Sequence, residues 1–283
     1  MEIAQVIEES KSSFTKLEQR VATYLINRPE AIALETSAEI AERLNVSPMT
    51  VSRFFKKLGD QKLSELRASA RKNLFGPSAA RIGSRYESFA HSQQDRDSSI
   101  DQQVAQLGLD SALEWRNTAA WQEAVQKAAN AESFMAIGFQ IMQYLARGLC
   151  MRLKYVRQNV FLVDGEDGIY AEVFNDESAS KVLVMIDTFR YGAHGPILAK
   201  AAKERGFRII LFCDEYCDWA QGTVDTVFSF PNEGHFFMPF PTGIHFGLNL
   251  FYQDIIHALG DDAREQVEKL SKSQEMFGSF IPE

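Results

Sequence analysis

The sequence predicts two domains, an all-α N-terminal domain followed by an α/β domain with a mostly parallel five-stranded sheet. Its 283 residues exceed what one hydrophobic core usually serves. Apolar residues recur at helical spacing in the first quarter of the chain. After Glu132, short apolar runs alternate with longer helical segments, and strands that alternate with helices form parallel sheets.

Helix signals are dense in the N-terminal part. The runs Thr15–Glu18 and Thr36–Glu39 both have the spacing of a capping box, in which a hydroxyl and a carboxylate each accept a hydrogen bond from the other residue's backbone amide. Pro29 ends the first helix, because the residue before a proline avoids the α region. A short segment from Glu30 to Leu34 precedes the second helix, which we expect to run through Leu44.

The residues after Leu44 predict a tight turn and a further helix. Asn45 tolerates the left-handed backbone that such a turn needs. Ser47 is a good N-cap, and Pro48 suits the first helical position. Val51 and Phe54 then give the new helix a buried stripe. Two helices joined in this way form a helix-turn-helix motif.

The exposed face of the second helix predicts contacts with double-stranded DNA, because its N-terminal part enters the major groove in such motifs. Arg53 can contact guanine bidentately, whereas Lys56 and Lys57 more readily meet phosphates. The chain carries a net charge of −8, yet residues 43–72 hold eight basic and two acidic residues. A solvated face of a helical bundle is the alternative. The predicted DNA-binding residues are Ser47, Met49, Thr50, Ser52, Arg53, Lys56 and Lys57.

The run Ser37–Gly59 resembles the DNA-binding domain of the RpiR family of bacterial regulators. The likeness covers roughly residues 10–75, and the string from Val46 to Phe54 (Val-Ser-Pro-Met-Thr-Val-Ser-Arg-Phe) is its most diagnostic part. The resemblance implies a transcriptional regulator that binds a DNA operator as a homodimer or tetramer. We expect the DNA-binding domain over residues 1–76, a linker over 77–97, the α/β domain over 98–260 and a C-terminal tail over 261–283.

Five apolar runs of the second domain are predicted strands, and ligands of such folds bind outside the carboxyl ends of the strands. We therefore expect ligand contacts in the loops that follow the first, third and fourth strands, at Gly138–Gln140, Asp187–Gly195 and Cys213–Trp219. The predicted strands are 134–138, 160–163, 181–186, 208–212 and 224–230, and the longer helices are 140–156, 196–205 and 244–259.

This order resembles the SIS (sugar isomerase) domain, which follows the helix-turn-helix domain in RpiR-family regulators. The resemblance implies a phosphorylated sugar held by hydroxyls and backbone amides at helix N-termini. Both loops depart from that pattern, since the first keeps one glycine and the second has Asp187 where serine is expected. Arg190 can bind an anionic ligand or pair with Asp187. The predicted effector-binding residues are Gly138, Phe139, Gln140, Asp187, Thr188, Arg190 and Tyr191.

Three functions remain open from the sequence. The leading one is a regulator whose SIS-like domain dimerises and senses a small, anionic or sugar-derived effector. The alternatives are an isomerase-like enzyme with an added DNA-binding domain, and a regulator whose SIS-like domain only dimerises. We expect no catalytic residues and no cofactor. We also expect no metal site, because Cys213 and Cys217 lack a second ligand pair at zinc spacing. We also expect a cytoplasmic, bacterial protein that associates with the nucleoid and not with membranes.

Overall fold

The computed structural model describes residues 3–28, 31–60, 62–63, 65–67, 70, 82–83, 86, 89–90, 98–188, 191–231, 237–238 and 241–278. The chain divides into two compact units, residues 1–91 and 92–283. The predicted linker over 77–97 lies largely outside the described residues, of which those at 82–83, 86 and 89–90 are helical.

The first unit is helical, and both predicted capping boxes are confirmed, at Thr15 with Glu18 and at Thr36 with Glu39. Its core consists of large apolar side chains from several helices, among them Val21, Leu25 and Phe54. The described helices are α1 (Ile3–Ser10), a 3-10 turn (Lys11–Ser13), α2 (Lys16–Asn27), α3 (Ala31–Leu34), α4 (Ser37–Arg43) and α5 (Pro48–Leu58).

The second unit contains a five-stranded sheet in the order β2-β1-β3-β4-β5, with every neighbouring pair parallel. The predicted α/β class and five-stranded sheet are therefore confirmed. The elements are α6 (Ser98–Arg116), α7 (Ala119–Asn130), β1 (Ser133–Gly138), α8 (Gln143–Leu153), β2 (Val160–Leu162), α9 (Ala171–Phe174), β3 (Lys181–Ile186), α10 (His194–Glu204), β4 (Phe207–Asp214), β5 (Thr226–Phe230), α11 (Thr242–Leu259) and α12 (Asp261–Phe277).

Side chains alternate between the two faces of this sheet, because successive residues of a strand point in opposite directions. Phe134 and Ala136 of β1 pack with α6, α7, α8 and α11. Met135 and Ile137 pack on the other face, with α10. Helix α12 begins directly after Gly260, within the segment for which the sequence predicted only a tail.

Helices α6 and α11 cross through a pair of glycines. A Cβ on Gly108 would lie 2.9 Å from the Gly243 backbone nitrogen, so neither position has room for a side chain. Several turns further along α11, Asp254 accepts hydrogen bonds from Arg116 and from the indole of Trp121. The helical layer on this face is therefore fixed by backbone contact and by a partly buried ion pair.

One ion pair in the first unit changes the interpretation of a predicted DNA contact. The Lys57 Nζ lies 2.7 Å from Glu18 Oε2 and 2.7 Å from the Ser13 carbonyl oxygen. Burial alone would raise the pKa of Glu18, but the hydrogen bonds from Lys57 and Thr15 outweigh it and hold that pKa below its usual value. The Lys57 ammonium therefore stabilises the fold through this ion pair, and its predicted contact with DNA stays a prediction.

We expect Lys57→Ala to destabilise the first unit by about 1–3 kcal/mol, because it leaves a buried carboxylate without its cation. All three tryptophans lie in the second unit, at 115, 121 and 219, so hydrogen exchange of α2 and α5 amides is the appropriate measurement. Lys56→Ala is the matched control and should leave exchange unchanged. Unchanged exchange in Lys57→Ala, together with weaker DNA binding, would show that Lys57 contacts DNA instead.

Candidate functional site

The turn between α4 and α5 has the geometry that its residues predict. Asn45 adopts a left-handed conformation, with φ of 49°. The Ser47 side chain accepts a hydrogen bond from the Thr50 backbone amide at 3.2 Å. An Arg20 guanidinium nitrogen from α2 donates to the Leu44 carbonyl oxygen at 2.7 Å, which ties a third helix to the turn. The two helices are therefore held rigidly at their junction.

Helix α5 has one buried face and one polar, basic face. Val51, Phe54 and Leu58 are buried, as predicted, and so is Phe55. Arg53 and Lys56 are exposed and form no hydrogen bond or ion pair with the described part of the chain. Of the other predicted DNA-binding residues, Ser47, Met49 and Ser52 are exposed, whereas Thr50 is partly buried and shares a 2.9 Å hydrogen bond with Ser47. This face, apart from Lys57, is available to a partner.

In the second unit, the strand order places a crevice between the carboxyl ends of β1 and β3. From β1 the chain passes to β2 on one side of it, and β3 then lies on the other side of β1. Ligands of doubly wound sheets bind where the strand order reverses in this way. Gly138 and Ile186 are register partners at this point. The two predicted effector loops begin directly after them and therefore lie next to each other.

The first loop turns sharply because Gly138 has no side chain. A Cβ at Gly138 would lie 2.1 Å from the Met142 carbonyl oxygen. Gln140 follows with φ of 52°, and one 3-10 turn leads into α8. Residues 140–145 contain no serine or threonine, so the start of α8 offers no aliphatic hydroxyl to a phosphate.

The Phe139 side chain is buried between the two loops. Its ring lies 3.0 Å from where a Gly192 Cβ would be, and 3.6 Å from the corresponding position at Gly195. The glycines in the second loop therefore make room for an aromatic ring from the first. A phenyl group fills the space between the loops at this point, where the SIS resemblance implies hydroxyls.

The second loop is organised around the buried carboxylate of Asp187. Its two oxygens accept hydrogen bonds from the Thr188 backbone amide at 3.1 Å and from the Gly192 backbone amide at 3.2 Å. Burial raises the pKa of Asp187 to about 7. The hydrogen bonds from the two backbone amides lower this pKa, whereas the nearby charge of Asp214 raises it. Asp187 therefore changes between its protonated and ionised forms near neutral pH.

Asp214, at the end of β4, completes this group and was not among the predicted site residues. It is fully buried and accepts hydrogen bonds from the Tyr191 hydroxyl and the Tyr216 backbone amide. Burial and the Asp214 charge together raise the pKa of Tyr191 well above its usual value. Nothing in the local sequence around Tyr191 indicates this pairing, because the two residues lie on different strand ends.

Several other predictions can be placed. Gly138, Phe139, Gln140, Asp187, Thr188 and Tyr191 are all brought to the crevice edge, whereas Arg190 lies outside the described residues. The cysteines at 150, 213 and 217 are free thiols. Within the described ranges, no group of three or more histidine, cysteine, aspartate or glutamate residues could hold a metal ion. None of the described helices is long and apolar enough to span a membrane.

We expect Asp187→Asn to change how stability depends on pH. An unfolded aspartate loses its proton near pH 3.9, and the folded one near 7, so the wild-type protein loses stability as pH rises between these values. The variant lacks this loss. The free energy of unfolding of the variant, relative to that of the wild type, should therefore rise by on the order of a few kcal/mol between pH 4 and pH 8. Unfolding followed by tryptophan fluorescence measures this difference.

Asp167→Asn is the matched control, because hydrogen bonds from the Ala171 and Ile169 amides lower the pKa of the exposed Asp167. The difference between this variant and the wild type should stay constant above about pH 4, and it should shrink as pH falls below that value. A difference between Asp187→Asn and the wild type that stays constant from pH 4 to pH 8 would contradict the assignment of a raised pKa to Asp187.

Comparison with known proteins agrees with both units. Residues 1–74 match the helix-turn-helix domain of the rpiR family. A Thermotoga maritima relative, described as an uncharacterized HTH-type transcriptional regulator, is 23% identical over 214 residues, 74% of each chain.

Solved structures with the same fold include the sugar isomerase domain of an RpiR transcription factor from Sphaerobacter thermophilus. It has 17% identity and a TM-score of 0.55 over 61% of this chain and 98% of that one. The Vibrio vulnificus NanR protein, complexed with ManNAc-6P, has 15% identity and a TM-score of 0.53 over 97% of this chain and 98% of that one. The chain therefore has an N-terminal domain that matches the rpiR-family helix-turn-helix domain, followed by an α/β domain with the fold of the sugar isomerase domain of an RpiR transcription factor.

Proposed function

We propose that this regulator binds a two-fold-related DNA operator as a dimer, and that its SIS-fold unit responds to a small ligand at the crevice between β1 and β3. The observation that carries the DNA-binding part is the exposed face of α5, where Arg53 and Lys56 have no partner among the described residues. Two such helices can enter successive major grooves when the protein is dimeric.

Arg53 and Lys56 have different roles in this proposal. Arg53 lies nearer the N-terminus of α5, which enters the groove, and its guanidinium matches the two acceptors of guanine. Lys56 lies one turn further and carries a point charge suited to the phosphate backbone. Lys57, although adjacent, is excluded from the interface by its ion pair with Glu18.

The crevice supports a ligand that differs from a sugar phosphate. NanR is described as complexed with ManNAc-6P. Here the carboxylates of Asp187 and Asp214 are buried at the edge of the sheet, and the ring of Phe139 fills the space between the loops. Negative charge at this edge repels phosphate, so we propose a small, unphosphorylated ligand.

A catalytic role for Asp187 fits the geometry less well. Its pKa of about 7 suits a general base. However, both of its oxygens already accept backbone hydrogen bonds, and the side chain is almost completely buried. Asp187 is therefore proposed to hold the loop closed and not to transfer a proton to a substrate.

We expect Arg53→Ala to abolish discrimination between operator and scrambled DNA. The lost guanine contact accounts for about 1–3 kcal/mol of the difference in binding free energy between the two DNAs. The operator is first selected from fragments of the source genome, and binding is then measured over a range of salt concentrations. Lys56→Ala, the matched control, should weaken binding to both DNAs equally and reduce the salt dependence. Equal losses on operator and scrambled DNA in Arg53→Ala would contradict the role of Arg53.

We expect ManNAc-6P to raise the melting temperature of the full chain no more than ManNAc does at matched concentration. A ligand at 100 times its Kd stabilises the folded state by about 2.7 kcal/mol, which a thermal shift detects. A larger shift with the phosphorylated sugar would show that the crevice accepts phosphate despite Asp187. A panel of unphosphorylated polyols and amino sugars, tested in the same way, then identifies the ligand class.

A further inference from the structure

Helix α8 carries an apolar strip on its outward face, and none of the elements described in the second unit covers it. Tyr144 is 52% exposed and Met151 is 61% exposed, although the opposite face of the same helix is packed into the core. Ile141 precedes the strip at 43% exposed, and Tyr155 follows it at 54%. Arg147 and Arg152 border the strip, so it is one helix face wide.

Gly148 lies in the middle of this strip and has no structural explanation within one chain. A Cβ at this position would meet no atom within 4 Å. Glycine inside a helix is unfavourable relative to alanine, because it increases the conformational freedom of the unfolded chain. A glycine on an open helix face is therefore destabilising in the isolated molecule.

The same chain shows what a helical glycine permits when a second helix is present. At the crossing of α6 and α11, Gly108 and Gly243 bring two backbones into direct contact. Gly148 offers the same kind of surface, flanked by aromatic and aliphatic side chains, but faces outward. The difference between the two places is the missing second helix.

We infer that the second helix is α8 of another copy of this chain, crossing antiparallel at Gly148. Ile141 and Tyr155 each lie seven residues from Gly148 in the sequence. A two-fold axis through Gly148 therefore places Ile141 of one copy opposite Tyr155 of the other, and the reverse. Such self-complementarity is what an isologous dimer interface requires.

This inference rests on the proposed function, which requires a dimer, and it names the surface that forms it. Each partner in a typical stable interface buries roughly 800 Å², which is more than one face of a helix of this length commonly supplies. Helix α12 extends the strip, because Gln158 beyond α8 contacts Gln266 of α12 at 3.4 Å. Next to Gln266, Val267 is 43% exposed, so the second copy is expected to reach α12 as well.

The test compares Tyr144→Glu with Ile197→Glu in the full chain. Ile197 is 68% exposed on α10, on the opposite side of the sheet, and so matches the chemical change without touching the strip. We expect the wild-type chain to sediment as a dimer, Tyr144→Glu to raise the dimer dissociation constant by tenfold or more, and Ile197→Glu to leave it within about twofold. Tryptophan fluorescence verifies that both variants are folded.

A second variant tests the crossing point itself. Gly148→Cys should form a disulfide between two copies under mild oxidation with diamide, because close helix crossing brings the two Cα atoms within disulfide range. Ile197→Cys and the unsubstituted chain, which carry the same three native cysteines, should not. Dimers that survive Tyr144→Glu and do not cross-link at Gly148 would overturn the assignment of this surface while leaving dimerisation intact. A wild-type chain that is monomeric at all concentrations would overturn both.

Discussion

The contact between Gly138 and the Met142 carbonyl oxygen sets the layout of the second unit. Because no side chain fits there, the chain can reverse direction directly at the end of β1. That reversal sends Phe139 between the two loops of the crevice and starts α8 only a few residues later. The filling of the crevice and the orientation of the outer face of α8 therefore both follow from one close backbone approach.

The chemistry of the crevice follows from burial in the same way. Asp187 and Asp214 are both removed from solvent near the ends of neighbouring strands, where the charge of Asp214 disfavours ionisation of Asp187. Backbone amides stabilise the charge on Asp187, and the Tyr191 hydroxyl donates to Asp214. A phosphate would add further negative charge to this group, which is the physical basis for proposing an unphosphorylated ligand.

The sequence predicted those parts of the structure that depend on neighbouring residues. The turn at Asn45, the cap at Ser47 and the two capping boxes all arise from interactions within a few positions, and the strands follow from continuous apolar runs. Contacts between distant residues were not predictable. Lys57 pairs with Glu18, and Tyr191 with Asp214, and in each case the partner lies on another element that only the folded chain brings close.

Helix α12 was missed for a related reason. It is strongly charged, only Ala263 is buried, and most of its stabilisation does not come from packing within the described chain. An isolated helix of this length is marginal in water. Gln266 of α12 contacts Gln158, five residues beyond the end of α8, and the proposed interface between two copies of α8 extends to α12. A ligand in the crevice can alter that interface only if it binds one arrangement of α8 more tightly than another. The turn at Gly138 can couple ligand binding to the position of α8, because it forms part of the crevice and leads directly into α8.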